Sequence, residues 1–570
     1  MRRASFGRGL ALLALAGSTA CDGCRSSTPA ERPALSLRGY ARETAYVTGD
    51  PATDALQDLL RPTLEANRRE FLGRTGTVHG IGAGEIYPQV WLRDSATVIP
   101  ASRYADDLDA LASWLEEHLA HQKADGQLWD WIAAGEPEVF RVNAPRAQVV
   151  FRQAGTVLSA DKNTSITDQE SSAVDAAAQL YVLGGRRDWL AKDVAGRRLL
   201  DRLEAALEFV WRDKRQDGLV VAALTADWGD VSPAYPDQRV IYLDDATPRV
   251  ASLYASVLFV RGARGLAGLF EAASEPGRAA TWTGRADATR DAIARGLWQE
   301  DRGFFRFQRT LPGPPAPPAL DTSGMFALGG NALAALYGIA DDAQAARIFA
   351  EVEARRRRYA LSTVAGVLLP PFPRGFFPHP IQSEEWTYQN GGLWDWWAGR
   401  LLLAEFLRGD AADAQRQLRE IAARVARTGG LFEWSSRKEK GQGSAHYAGS
   451  AGALAGAVFA GLFGIDSRKD ALAITVRLGE GGGAVRVYEP AIDRYVAYRY
   501  DAEPRALRLR FESNAPGTGE LALRLPPDRV GASARLDGRP LAFAEKQVGR
   551  DRYLSLVTDW QAHELQVDLR

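Results

Sequence analysis

Residues 250–272 read VASLYASVLFVRGARGLAGLFEA, with apolar side chains three and four positions apart at Leu253, Val257, Val260, Ala263, Leu266 and Phe270. That spacing is the helix period and predicts a helix. The same spacing returns at 55–71, 104–121, 171–182, 195–212, 285–298, 330–337, 343–354, 391–407, 411–426 and 444–462. The loops between these runs carry Gly, Pro, Trp and Asp. About a dozen helices in pairs fit either a solenoid of helical hairpins or a closed ring of them. No fixed repeat of about 34 to 47 residues supports the solenoid, so a closed (α/α) ring is expected.

After residue 465 the pattern changes to short alternating β-branched and polar runs at 473–478, 484–488, 507–512, 520–525 and 554–557. Turn residues separate them at 479–483, 515–519 and 537–539. Residues 466–570 therefore read as a small antiparallel β-domain, sandwich-like in type. The proline-rich run 311–318, LPGPPAPP, fits a surface loop. The expected fold class is mainly α with this β-domain at its C-terminal end.

The chain has 570 residues, 46% of them hydrophobic and 25% charged, which excludes disordered, collagenous and multi-span membrane classes. Seventy Lys+Arg stand against 71 Asp+Glu, a balance that carries no nucleic-acid footprint. Residues 1–20 hold Arg2, Arg3 and Arg8, then the apolar run 10–16, then small residues ahead of Cys21. The run is too short to span a bilayer and reads as an export signal peptide. A cysteine directly after small residues resembles a bacterial lipoprotein signal, which implies lipidation of Cys21 and a membrane anchor facing the periplasm or cell surface. Ordinary cleavage after Ala20, leaving Cys21 and Cys24 as thiols or a small disulfide, is the other reading. Residues 21–40 form a tether, 41–465 the helical body and 466–570 the β-domain. The chain's two cysteines are Cys21 and Cys24, so the body has no thiol nucleophile and no zinc-thiolate site.

The loops between helices concentrate Trp, Asp and Glu, among them Trp129, Trp131, Trp396 and Trp397. Indole faces stack on apolar faces of sugar rings, and carboxylates bind hydroxyls and move protons, so the combination suits an oligosaccharide partner. In 91–96, WLRDSA, Arg93 and Asp94 beside Trp91 form a pair able to grip adjacent hydroxyls, although Asp94 or Ser95 also suits a helix cap. In 226–233, ADWGDVSP, Asp227 and Asp230 flank Trp228, itself a candidate to stack on a sugar ring. A carboxylic acid beside an indole is desolvated, which raises its pKa toward that of a proton donor; two turn-forming aspartates are the plainer alternative.

Residues 382–394, QSEEWTYQNGGLW, supply Trp386, Tyr388, Gln389, Asn390 and Trp394 as binding candidates, with Glu384 or Glu385 open as catalytic groups. Glu433 sits between Phe432 and Trp434 after Gly429-Gly430 and before Gly441-Gln442-Gly443. A lone glutamate among aromatics is a candidate base, or else a buried partner of Arg437 or Lys438.

These segments resemble motifs of the six-hairpin glycoside hydrolases: glucoamylases, debranching and processing α-glucosidases, trehalases and mannosylglycerate-hydrolase-like enzymes. The resemblance implies a six-hairpin (α/α) toroid barrel in which Arg93 and Asp94 hold a terminal glucose. Asp230 would be the acid, with Asp227 as alternative because Val231 departs from the family's Asn, and Glu433 would activate water. Two carboxyls across a sugar with water between them imply inversion, with a gap of about 6.5–9.5 Å. The expected function is an inverting, exo-acting hydrolase of glucose-containing oligosaccharides. A non-catalytic glycan-binding lipoprotein and a sugar epimerase or polysaccharide lyase on the same helices remain as alternatives, the latter weakened by only six histidines. The sequence lacks a phosphate loop, dinucleotide fingerprint, paired-histidine motif and EF-hand, so no cofactor and no metal are expected. Asp244 and Asp245 leave a calcium ion open.

Overall fold

The three- and four-residue apolar spacing folds as helices, and the helices beginning at Leu199 and Leu253 start later than the pattern does because a short strand, Arg197–Arg198 and Arg249–Ser252, leads into each. The computed structural model describes residues 35–37, 41–135, 149–153, 155–162, 165–231, 247–314 and 320–570. Cys21, Cys24, Asp244 and Asp245 lie outside the described residues. Helices α1 (Pro51–Ala66), α2 (Leu92–Ser102), α3 (Leu108–Ala120), α4 (Gln169–Gly184), α5 (Arg187–Ala191), α6 (Leu199–Asp213) and α7 (Leu253–Ala272) come first. They are followed by α8 (Pro276–Leu297), α9 (Leu328–Leu336), α10 (Asp342–Arg358), α11 (Asp395–Leu407), α12 (Ala411–Thr428) and α13 (Ala448–Ala455), the last continuing as a π-helical turn, Gly456–Leu462. Their ends are fixed locally: the Asp50 side chain accepts from the Thr53 amide at 2.8 Å, and Asp341 and Gln344 form a reciprocal capping box.

Two kinds of helix result. Helices α2, α4, α7, α9, α11 and α13 are buried almost all round, whereas α1, α6 and α12 bury one stripe and expose the other. The buried six pack in cyclic order, α2 on α4, α4 on α7, α7 on α9, α9 on α11, α11 on α13 and α13 back on α2. Outside them α3 and α6 pack on α4, α8 on α7, α10 on α9, and α12 on α11. Glycines allow the inner contacts: a Cβ on Gly452 would stand 2.4 Å from the Thr97 carbonyl oxygen, and one on Gly399 would stand 2.6 Å from the Ala453 backbone. Helix α7 is long and apolar enough to cross a membrane by length and composition, but most of it is buried inside this body.

The expectation of a mainly α chain needs correction, because the protein is mixed, 39% helical and 28% strand. Four-stranded sheets lie within the helical region. One joins Val90–Trp91, Trp131–Ala134, Thr156–Asp161 and Val149–Gln153; another joins Arg215–Gln216, Leu219–Ala223, Arg249–Ser252 and Gln308–Thr310. Strands of two to six residues are too short to show a period of two against the helical background.

From Ile465 onward the chain is strands. A five-stranded sheet runs Ile465–Arg468, Ala471–Val476, Thr518–Arg524, Asp551–Asp559, Ala544–Val548, and a seven-stranded sheet contains the other long strands. The antiparallel expectation holds for most pairs but fails for Ala471–Val476 against Thr518–Arg524, which run parallel with Ile474 opposite Leu521. Nor is the seven-stranded sheet confined to 466–570: Ala45–Val47, ahead of α1, pairs with Gly483–Glu489, Tyr46 opposite Val485.

Candidate active site

The N-terminal ends of five of the six buried helices, α2, α4, α7, α11 and α13, contribute the central side chains. Arg93 and Asp94 lie in the first turn of α2, Asp168 caps α4, Tyr254 opens α7, and Trp394 and Tyr447 cap α11 and α13. Helix N-termini carry partial positive charge, which favours the carboxylates gathered there.

Arg93 is buried and holds Asp168 at two points, Nε to Oδ2 at 2.6 Å and Nη2 to Oδ1 at 3.4 Å. The Tyr254 hydroxyl donates to the same Oδ2 at 2.9 Å. The third nitrogen of the guanidinium, Nη1, stands 3.8 Å from Asp230 Oδ1. Asp94, next in the chain, accepts a hydrogen bond from the Tyr447 hydroxyl at 3.0 Å. Burial pushes its pKa up to about 6, against the lowering pull of Arg93 and Tyr447.

Glu433 faces this group from the last inter-helix loop. Its side chain is buried, accepts from the Tyr87 hydroxyl at 2.9 Å, and has its pKa pushed up to about 7, first by burial and further by the negative charges of Asp94 and Asp230. The glycine-rich loop behind it is required sterically. A Cβ on Gly443 would lie 2.3 Å from Glu433 Oε2, and Gly443 has φ +70°.

The two aspartates of the 226–233 loop part company. Asp230 is about a third exposed (32%), and its backbone amide donates to the buried Gln389 Oε1 at 3.1 Å. Asp227 points the other way: it is buried at the start of α9, where its Oδ2 accepts from the Gly330 amide at 3.0 Å. Burial alone pushes its pKa up to about 7. As an alternative acid Asp227 is therefore misplaced, since its side chain anchors a helix rather than facing Arg93 and Glu433.

The aromatic candidates also divide. Trp91, Trp386, Tyr388 and Trp434 are half-buried, with Tyr388 and Trp434 ring centroids 6.4 Å apart. Trp386 and Tyr388 hold left-handed backbone, φ 65° and 44°, a strained arrangement for large side chains. Trp228 and Trp394, by contrast, are each 1% exposed and pack edge to face at 5.4 Å, beside Trp396 and Trp397. Neither offers a face to a sugar, a correction to their reading as binding residues; a loop position in sequence does not reveal what packs over it. Asn390 is likewise structural. It is fully buried, accepts from the Phe372 amide at 2.7 Å and donates to the Phe372 carbonyl at 3.1 Å. Gln389 orients Asp230 from behind. Glu384 pairs with Arg374 at 2.9 Å on the exposed edge, and Glu385 is exposed beside it.

Sequence reasoning missed Tyr87, Asp130, Asp168, Tyr254 and Tyr447. Asp130, buried between Trp129 and Trp131, lies close enough to Arg93, Asp168 and Asp230 to feel their charges, and burial raises its pKa well above the usual range. Tyr87 precedes the quoted Trp91 motif by four residues but lies in a loop, and its partner Glu433 is 346 residues away, so it had no local signal. Asp168 had none, because its partner Arg93 lies 75 residues away. Among the described residues no group of three or more His, Cys, Asp or Glu side chains is arranged to hold a metal ion.

Residues 87–448, more than half of the chain and bracketing every group above from Tyr87 to Tyr447, match the mannosylglycerate hydrolase MGH1-like glycoside hydrolase domain. Among solved structures, the GH63 mannosylglycerate hydrolase from Thermus thermophilus in complex with glucose is 18% identical with a TM-score of 0.50, over 70% of this chain and 98% of that one. The α-L-rhamnosidase from Dictyoglumus thermophilum is 10% identical with a TM-score of 0.59, over 92% of this chain and 50% of that one. That from Streptomyces avermitilis, complexed with L-rhamnose, is 14% identical with a TM-score of 0.55, over 92% and 42%. These likenesses are of fold. A search of curated protein sequences gives no match. The family match over residues 87–448 makes the chain a glycoside hydrolase of the MGH1-like family, within the six-hairpin glycosidase superfamily.

Proposed function

We propose that the protein is an inverting, exo-acting glycosidase that removes single sugars from glucose-containing oligosaccharides, α-glucosidase or debranching in type, on a closed (α/α) six-hairpin toroid. The cyclic packing of the six buried helices supports the toroid. The observation that carries the mechanism is the placing of Asp230 and Glu433 around the Arg93–Asp94 pair. Arg93 and Asp94 bind adjacent hydroxyls of the terminal sugar, and the half-buried Trp91 and Trp434 border it. Asp230 gives its proton to the glycosidic oxygen as the C1–O bond breaks. Glu433 takes a proton from water as the water oxygen bonds to C1 from the opposite face, which inverts the anomeric centre. The Tyr87 hydroxyl fixes the direction of the Glu433 carboxylate.

The test is proton NMR of maltose, isomaltose, trehalose and mannosylglycerate incubated with the protein, beside Asp230→Asn and Glu433→Gln. Mannosylglycerate belongs in the panel because a solved relative is named as its hydrolase. Release of an inverted sugar, lost in both variants, supports the assignment and names the linkage. Retention of configuration, or full turnover in either variant, overturns it.

The same proposal has the protein exported by residues 1–20 and lipid-anchored at Cys21, resting on the sequence pattern there. Radiolabelled palmitate entering the unaltered protein but not Cys21→Ala supports the anchor; equal labelling, or none in either, refutes it.

A further inference from the structure

Beneath the sugar site the six buried helices surround a half-open cavity of about 70 Å³. Every one of them contributes to its wall, from Arg93 and Tyr254 on the side of the active site to Pro100, Tyr337 and Leu403 nearer their C-terminal ends. The volume suits one small ion or a few waters, not a sugar.

Its charges do not balance. Arg93 is matched by Asp168, and Asp175 is matched by Arg261 at 2.7 Å. Arg400, in the second turn of α11, has no carboxylate within 4 Å among the described residues. It donates to the Thr97 hydroxyl, and its guanidinium lies over the Trp397 and Trp396 rings at 4.8 and 5.2 Å from their centroids. The hydroxyls of Ser172 and Tyr337, on the same wall, have no hydrogen-bond partner among the described residues. A guanidinium with uncommitted N–H groups, two free hydroxyls and apolar neighbours in Leu258, Leu336 and Leu403 make an environment short of one negative charge. Arg400, Tyr337 and Leu403 are half-exposed, so the cavity has an entrance away from the sugar.

We propose that this cavity is a binding site for a halide-sized monovalent anion, held by Arg400 with the Ser172 and Tyr337 hydroxyls. Phosphate and carboxylate ligands are more strongly hydrated than chloride or bromide, so a space with apolar walls favours the halide. The site has a line of contact to the sugar pocket. Tyr254 lines the cavity, feels the charge of Arg400, and donates to Asp168, which in turn holds Arg93. An anion at Arg400 thus alters the field on the residues beneath the sugar.

The test uses the full chain with chloride and bromide as probes. Chloride-35 NMR is expected to show excess line broadening in the unaltered protein and in Arg400→Lys, and none in Arg400→Gln. Replacing gluconate by chloride at constant ionic strength is expected to raise Tm by roughly 2 °C, with the same dependence on Arg400. Crystals soaked in bromide are expected to show anomalous density beside Arg400. No broadening in the unaltered protein, equal broadening in Arg400→Gln, or bromide confined to the surface overturns the site. If Arg400→Gln does not fold, the bromide map of the unaltered protein decides alone, density in the cavity supporting the site and its absence refuting it.

Discussion

Tyr87 is one hydroxyl at 2.9 Å from one carboxylate oxygen, and it sets the working range of the site. A base has to be ionised before it can take a proton. Burial lifts Glu433 to about 7, so in the free enzyme kcat/KM is expected to fall as pH drops through about 7. The Tyr87 hydrogen bond favours the ionised form. Tyr87→Phe should therefore move that acid limb to higher pH and lower turnover at pH 7, while Glu433→Gln removes turnover at every pH; a pH profile of kcat/KM checks both. Asp227 gives the opposite signature. Its pKa is higher folded than unfolded, so the folded state binds the proton more tightly, and the stability linked to that proton is complete below about pH 4 and lost as pH rises through about 7. Asp227→Asn, which keeps an acceptor for the Gly330 amide, is expected to retain activity and to melt higher than the unaltered protein at pH 8. Loss of turnover in that variant would return Asp227 to candidacy as the acid. Sequence could not separate Asp227 from Asp230 because both flank the same indole, three residues apart; the choice depends on where α9 packs, about a hundred residues later. The burial of Glu433 was legible because aromatic neighbours on both sides and a glycine loop after it already enclose the glutamate locally. The burial of Trp228 and Trp394 was not, since each is covered by residues from other turns of the chain.

At the scale of the element, the site is made by helix starts and by the loops that precede them. The helix period was readable because inner and outer helices alike bury apolar residues three and four apart, and the later start of α7 was hidden because Val250 and Ala251 of the strand extend its apolar run. The glycine loop before α13 is the most exacting of these connections. At Gly443 the left-handed backbone costs an L-residue about 1 kcal/mol, and a methyl group would strike the Glu433 carboxylate. Gly443→Ala is therefore expected to lower kcat by tenfold or more with only a small fall in Tm, because the displaced group is the proposed base and not the core. Gly452 separates the two effects from the other side. There an added methyl meets the Thr97 backbone in the α2–α13 contact, so Gly452→Ala is expected to lower Tm strongly, by several degrees, before any effect on the chemistry. Steady-state kinetics and thermal melts on the pair decide whether loop and helix glycines divide in this way.

At the scale of the molecule, the strand region is tied to the helical body by buried charge. Arg103, directly after α2, pairs with Glu489 at 2.6 Å, and Glu489 is fully buried where the Ser467 hydroxyl also reaches it. Ser467 lies in the strand that follows the π-helical turn, and the Arg103 guanidinium donates to the Ser467 carbonyl at 2.7 Å. One cluster thus fastens the end of an inner helix to both C-terminal sheets. None of this was legible in sequence, because an arginine and a glutamate nearly four hundred residues apart announce nothing locally, whereas the change of period at residue 465 needed only neighbouring residues to be seen. The strand Ala45–Val47 adds a second tie, since it joins the seven-stranded sheet and leads directly into α1. Removing one partner of a buried ion pair leaves the other charge uncompensated, at a cost of about 3–5 kcal/mol. Glu489→Ala is accordingly expected to destabilise the whole protein in one transition, with the helical and strand signals of circular dichroism lost together. Two separate melting steps in that variant would mean that the sheets only lean on the helical body, and that the inner helices keep the active site standing without them.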